Sequence, residues 1–360
     1  AKSEAGGFVT PFFLALRICG LAPWSSDRFP TASRAYRVFV LCIAALAALS
    51  LLIEAAYARD ELLKASGKCG WSSTCWRQRG LFSEVPLALA LLTGLVVLGA
   101  WRGSMSLVNN LILLESYAFQ QGLMEKLISR RRRETRWVVG LSLSSVFLGT
   151  AGLLLYSKDW KPSPEAVWSY FAQMITFLML LCVCFCLLYV CSVLGMCADA
   201  FCCNVVDDLD LSAVVHEWNV LQAILRKSSS TIELAFVAFM CSVMCYIPLL
   251  MVDFYALREY HDSLPALLPG LVVCIGIVRL FFLAAAITDK CTRISPLINS
   301  LSFGPGTERY REYIVDYITN SAAGFYVFDV RLSTAMVLKF IYVWGVVAFG
   351  LSTQLFSSQT

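Results

Sequence analysis

Seven apolar stretches recur along the 360-residue chain, at about 38–57, 85–101, 137–156, 168–196, 234–252, 265–287 and 335–356. A bilayer's hydrocarbon core needs about 20 apolar residues in a helix to cross it. Nothing else in the sequence limits the fold so strongly. With 58% apolar and 15% charged residues, the composition is that of a polytopic membrane protein rather than a soluble domain. The fourth stretch is longer than a crossing needs and is expected to project beyond the membrane. The first apolar patch, FVTPFFLALRICGLAP, is interrupted by Pro11 and Arg17 and is too short to span or to act as a secretory signal. The sequence begins at Ala1 without an initiator Met, so residues are expected to precede it.

The spacing of the stretches predicts alternating loops, and the basic residues sort between them. The N-terminal tail and the second, fourth and sixth loops hold 19 of the 29 Lys and Arg residues. The positive-inside rule then predicts a cytoplasmic N-terminus and an extracellular C-terminus. The run Arg130–Arg133 is the largest contributor and reads as a topogenic, lipid-facing cluster rather than a nuclear signal. An inward N-terminus with seven spans is the reverse of a G-protein-coupled receptor, and neither a DRY-type triplet nor NPxxY is present.

The loops on the basic side carry helical periodicity. Residues 104–128 and 197–230 repeat apolar residues at helix spacing; in the second, Val205, Leu209, Val215, Trp218, Leu221 and Leu225 alternate with Asp207, Asp208 and Asp210. YREYIVDYITNSAAGFYVF is helix-compatible as far as Gly324. These segments predict a packed helical bundle on the cytoplasmic side, against the alternative of amphipathic helices lying on the bilayer surface.

Chemistry-bearing clusters are sparse. The 15 cysteines lie mostly inside apolar blocks; in LCVCFCLLYVC, Cys182 and Cys186 share a helix face and Cys184 does not, so they read as small hydrophobes. Cys69 and Cys75, in a short extracellular loop, are a possible disulfide. The two histidines, His216 and His261, are far apart, which argues against a His-based metal site or a serine triad. No P-loop, GxGxxG or HExxH pattern occurs. No catalytic residues, metal, cofactor or nucleic-acid partner is expected.

The last 40 residues carry a resemblance. AGFYVFDVRLSTAMVLKFIYVWGVVAF resembles the C-terminal signature of the insect gustatory receptor family, a relative of the odorant receptors. Gly324, Asp329, Tyr342, the run VWGVV and Phe349 fall at matching places, while Ile341 and Ala348 stand where the family has Thr and Gln. PFFLALRICGLAPW resembles the family's N-terminal pattern. The resemblance implies a divergent arthropod gustatory-type receptor in the plasma membrane. It implies a ligand-gated, non-selective cation channel, a homotetramer around one pore, opened by a small-molecule tastant and passing Na, K and Ca ions. It also implies a split seventh helix whose outer half lines the pore, and a ligand pocket among the outer halves of the other helices. The corresponding organisation is a cytoplasmic segment 1–37, a six-helix membrane domain 38–287, a cytoplasmic loop with the inner part of helix 7 at 288–334, and the pore-lining segment 335–360. A secondary transporter would instead show internal repeats and broken helices, and a non-conducting seven-helix receptor is the other alternative.

On the last helix Tyr342, Gly345, Val346, Phe349, Ser352, Thr353 and Phe356 fall near one face. An apolar ring at Val346 and Phe349 below hydrated hydroxyls would gate by dewetting, with Phe349 the constriction and Ala348 beside it; the same stripe would serve helix packing. Lys339 is placed to snorkel to the interface. Arg279, deep in the sixth stretch, requires a partner, and an acid of the cytoplasmic bundle is expected. For the ligand pocket, Tyr156, Trp160, Trp168, Tyr170, Gln173, Tyr246, Asp253 and Tyr255 are the aromatic and polar candidates in the outer halves. Gln173 and Tyr246 lie deepest, and Tyr156, Trp160 and Trp168 also fit an interfacial aromatic belt. The set is apolar enough to favour a hydrophobic or bitter-type ligand over a sugar.

Overall fold

The computed structural model describes residues 30–65, 82–99, 101–156, 164–207, 211–257, 267–300 and 308–357. Its helices are α1 (Pro30–Ala65), α2 (Glu84–Gly99), α3 (Trp101–Gln120), α4 (Met124–Tyr156), α5 (Pro164–Asp207), α6 (Leu211–Leu257), α7 (Leu268–Ser300), α8 (Glu308–Asn320) and α9 (Thr334–Ser357). A two-residue hairpin, β1 (Tyr326–Val327) and β2 (Val330–Arg331), joins α8 to α9. The chain is thus an all-α polytopic membrane protein. Among the described residues, five helices are long and apolar enough to cross a bilayer, namely α1, α5, α6, α7 and α9, and the apolar α2 is shorter. The stretch 137–156 forms the second half of α4, whose first half is the charged segment EKLISRRRRETR.

Helix α5 is the axis of the bundle. It is apolar nearly all round, so it is buried all round: 83% of its most apolar window is covered by α1, α2, α4, α6 and α7. Its 44 residues give a rod of about 66 Å, twice the hydrocarbon thickness, in keeping with the projection expected from sequence. Helix α1 shows the opposite pattern. Ala44, Ala47, Ala48, Leu51 and Ala55 are buried at helix spacing, while Val38, Phe39, Leu46, Leu49 and Ile53 face outward. Small residues on the inner face permit close approach of α1 to its neighbours.

The segments predicted as separate cytoplasmic helices are mostly continuations of the spans. Residues 197–230 divide into the end of α5 and the start of α6, and α4 runs without a break from Met124 into its apolar half. The reason is local: no Pro falls at these junctions, and Gly140 and Gly195 are held within continuous helix. A sharp reversal between two described helices is at residues 121–123. There Gly122 takes a positive φ of 66°, and the Leu123 N–H reaches the Ala118 carbonyl at 2.9 Å, closing α3 as a glycine-capped end.

At the end of the bundle that carries α8, the helix extensions pack into the expected core. Trp218, Leu221, Leu225 and Val205 are buried. Phe201 lies 5.4 Å from the Trp218 ring, and the Trp218 indole donates to Ser321 Oγ at 2.9 Å. Ile314 and Ile318 bury one face of α8 against α7 and α6. Lys290 of α7 ties to Asp199 of α5 at 2.5 Å and to the Gly195 carbonyl at 3.2 Å.

The hairpin accounts for two of the signature residues. Phe328 and Asp329 both have positive φ, 46° and 62°. They form the two-residue loop that matches strand twist, and Asp tolerates that conformation better than most residues. Gly324 lies where an added Cβ would stand 2.8 Å from Thr288 Oγ1 and 3.1 Å from the Arg331 side chain. The next amide, Phe325 N–H, donates to the same Thr288 oxygen at 2.9 Å. Glycine there lets the chain dock on α7 before turning into α9.

Candidate functional site

The predicted ligand-side residues converge at the end of the bundle opposite α8. Gln173 of α5 donates to Glu84 at the start of α2. Ser169, one turn before Gln173, donates to Glu54 of α1 at 2.8 Å, and Glu54 also accepts from Ser50 at 3.4 Å. Trp168 is largely exposed, and its indole donates to Ser50 at 3.2 Å. Tyr170 shares a 2.7 Å hydrogen bond with Thr150 of α4. Asp253, buried near the end of α6, accepts from the Ser83 N–H at 2.8 Å and the Phe82 N–H at 3.3 Å. It caps the first turn of α2 from a different helix, where free amides and the helix dipole favour a carboxylate.

Tyr246 is buried against α7. Its hydroxyl donates to the Leu267 carbonyl at 3.0 Å, and its ring fills the space a Cβ on Gly270 would occupy. It thus fixes the α6–α7 contact. Backbone places Tyr156 and Tyr255 at the same end, as the last turns of α4 and α6. Trp160 and the Cys69–Cys75 pair lie outside the described residues. Sequence reasoning missed Glu54, Glu84 and Ser169. An acid inside an apolar stretch is costly unless partnered, and that criterion would have found Glu54; Glu84, one residue before its stretch, gave no such signal.

Arg279 has the acidic partner expected for it. Its guanidinium lies 2.6 Å from Glu134 Oε2, on the charged half of α4, and its carbon sits 4.7 Å over the Trp137 ring. Arg130 and Arg133 approach the same carboxylate at 3.9 and 3.8 Å, and Arg130 donates to Ser192 of α5 at 3.0 Å. Glu134 is completely buried, so one carboxylate organises three guanidinium groups between α4, α5 and α7.

Helix α9 stands apart from the rest. Ser333 caps its start, accepting from the Met336 N–H at 3.4 Å. Only 11% of its apolar window is buried. Val337 and Ala348 are buried and Trp344 partly so; at 100° per residue these three share one face, set against α6 and α7. Tyr342, Val346, Phe349 and Thr353 occupy the opposite face, with Tyr342 73% and Phe349 71% exposed. The predicted stripe is therefore directed away from the chain's own bundle, Gly345 and Lys339 are exposed beside it, and Ala348 faces inward rather than lying alongside Phe349. The backbone places Ser352 one residue before Thr353 in the same helix. Between α9, α6 and α7 lies an apolar cavity of about 150 Å³ bounded by Phe236, Met240, Val278, Phe281, Phe340 and Trp344, among others.

The whole arrangement has solved counterparts. It superposes on the insect olfactory receptor OR5 from Machilis hrabei with a TM-score of 0.66 at 12% identity, covering 97% of this chain and 98% of that one. The fold is that of an insect olfactory receptor. The same receptor in complex with eugenol superposes with a TM-score of 0.63 at 13% identity, covering 96% of this chain and 97% of that chain. No family model matches the sequence, and no curated protein matches it.

Proposed function

We propose that this chain is a chemosensory receptor of gustatory type that acts as a ligand-gated, non-selective cation channel. The observation that carries the reading is the outer face of α9, which the other described helices leave exposed, in a chain whose fold matches an olfactory receptor over nearly its full length. Tyr342, 73% exposed, sets a phenol on a face that no other described helix covers, an arrangement poorly suited to lipid on every side. Four copies arranged around an axis would give each stripe a partner: Phe349 and Val346 would narrow the conduit, and the hydroxyls of Thr353 and Ser352 would line its wetter mouth.

In this reading the chain crosses the plasma membrane seven times, with α4 and the short α2 completing the count and the C-terminus outside. The α8 end is then cytoplasmic, and 19 of the 29 Lys and Arg fall in the tail and loops that this topology puts inside. The ligand is a small, largely apolar molecule entering among α1, α2, α5 and α6, where Gln173, Trp168, Tyr170 and Asp253 stand with Glu54 and Glu84. Eugenol, held by a receptor of the same fold, has this character: one aromatic ring and few hydrogen-bonding groups.

The test is reconstitution. The purified protein should run as a particle near four times the 39.9 kDa chain mass, and proteoliposomes should release Na, K and Ca ions when challenged from a panel of small aromatic and terpenoid compounds, eugenol included. A C-terminal epitope tag should stain on intact cells. A monomer that stays monomeric in lipid and passes no cations under any compound would refute the channel; staining only after permeabilisation would invert the topology.

A further inference from the structure

Helix α6 carries Pro248 in its interior. Proline has no N–H, so the carbonyl four residues earlier, that of Met244, loses its partner within the helix, and the proline ring pushes that carbonyl outward. In an apolar surrounding such an oxygen needs a donor from elsewhere. The structure supplies one from α9: the Trp344 indole N–H donates to the Met244 carbonyl at 2.6 Å. The bond sits at the rim of the apolar cavity, whose walls near it are Met244, Ile247, Phe340 and Trp344 itself. No side-chain hydroxyl or amide lines that wall, so the only alternative acceptor for the indole and donor for the carbonyl would be intruding water.

We propose that Trp344 is the positioning residue that couples α6 to α9, its indole holding the proline-freed carbonyl so that bending of α6 at Pro248 turns α9. The proposal rests on the channel reading above and specifies how the two ends of that machine are joined. Beyond the proline, α6 carries Asp253, which holds the start of α2 beside Glu84. A displacement of that network reaches α6 on the far side of its hinge. Because a carbonyl at a proline break changes direction when the helix bends, the displacement is delivered to Trp344. Trp344 lies on the inward face of α9 with Ala348, and Phe349 lies on the outward face. Rotation of α9 about this directional contact, beyond the Thr334 N–H bond to Asp289 at its start, therefore swings Phe349 across the face presented to neighbouring copies.

The test is a two-by-two set. Trp344→Phe keeps an aromatic ring and deletes the N–H; Pro248→Ala returns the backbone N–H that satisfies Met244. Two readouts are taken on the full-length protein: amide exchange over residues 334–351 in lipid nanodiscs, and ligand-independent cation current at matched surface expression. Trp344→Phe is expected to speed exchange in α9 about threefold or more and to shift basal current by about two- to tenfold, the range of one net hydrogen bond. In the Pro248→Ala background the same substitution is expected to change either quantity by less than about 1.5-fold, because the carbonyl is already satisfied. Equal effects in both backgrounds, or none in the unmodified background, overturn the proposal. If Trp344→Phe does not reach the membrane, an indole with its nitrogen methylated at position 344 removes the same donor with the ring intact. Absence of current in the unmodified protein under every compound of the panel would refute the channel reading, and amide exchange would then decide the coupling on its own.

Discussion

Replacing Glu134 by Leu is the single change expected to damage this fold most outside its apolar core. Glu134 is completely buried and lies within 4 Å of three guanidinium groups: Arg279 at 2.6 Å, Arg133 at 3.8 Å and Arg130 at 3.9 Å. Leucine at that position leaves three like charges facing one another. Removing one partner of a buried pair costs roughly 3–5 kcal/mol. Arg133 is half exposed and Arg279 about a quarter exposed, so water screens part of the repulsion and the lower end, about 3 kcal/mol, applies. At the 2–4 °C per kcal/mol of chains of about 150–250 residues, shorter than this one, that lowers the melting temperature by at most roughly 6–12 °C. Arg279→Met should cost less, about 1–2 kcal/mol, because Arg130 and Arg133 remain to neutralise Glu134. The decisive variant is the double one. Glu134→Leu with Arg279→Met replaces the pair by apolar side chains between α4 and α7 and should recover at least half of the loss. Melting of the detergent-solubilised protein, followed by size-exclusion of the surviving fraction, measures all three. Additive losses in the double variant would show that the carboxylate is not the counter-charge of Arg279 and that its burial serves packing alone.

Three further outcomes are expected. Phe349→Ala should raise basal cation current, since a small side chain leaves a wider and wetter neck; if Val343→Ser or Val347→Ser opens the channel while Phe349→Ala leaves current unaltered, the pore face is misassigned. Gly324→Ala should destabilise the protein by roughly 1–3 kcal/mol, because its methyl group would stand 2.8 Å from Thr288 Oγ1, and the paired change Thr288→Ala should give part of that back, which melting curves would reveal. Glu115 of α3 has its carboxyl pushed up by burial, against the opposing effects of the Tyr189 hydroxyl, which donates to it at 3.0 Å, and of Arg131. A raised folded-state value favours the protonated form, so the stability it contributes is full below about pH 4.3, the unfolded value, and is lost as pH rises through the folded value; Glu115→Gln should flatten that decline between pH 4 and 8, and an unchanged melting profile would sink the assignment.

How much of this was legible in the sequence depended on how far apart the partners were. Periodicity alone exposes a helix face, so the buried alanines of α1, the Trp218–Leu225 stripe and the length of α5 could be read directly. Arg279 could be read as needing an acid, because a lone charge in an apolar run is a physical contradiction that some other residue must resolve. Which acid resolved it could not be read, since Glu134 precedes Arg279 by 145 positions and sits in a run that looks like surface charge. Asp253 looked like a pocket residue because an acid near a helix end can face solvent or ligand equally well; its role in capping α2 needs the α2–α6 contact. The same reasoning explains why Pro248 said little by itself. A proline in a membrane helix announces an unpaired carbonyl, and the residue that pairs with it, Trp344, comes almost a hundred positions later on a helix with few other ties to its own chain. A tryptophan on the inward face of such a helix has two things to offer, ring area and one N–H. The ring could be replaced by any large apolar residue, whereas the N–H answers a need that only the proline creates. That match of one donor to one freed acceptor, in a region with no other polar side chain on the cavity wall, makes the rotation of α9 a consequence of the shape of α6.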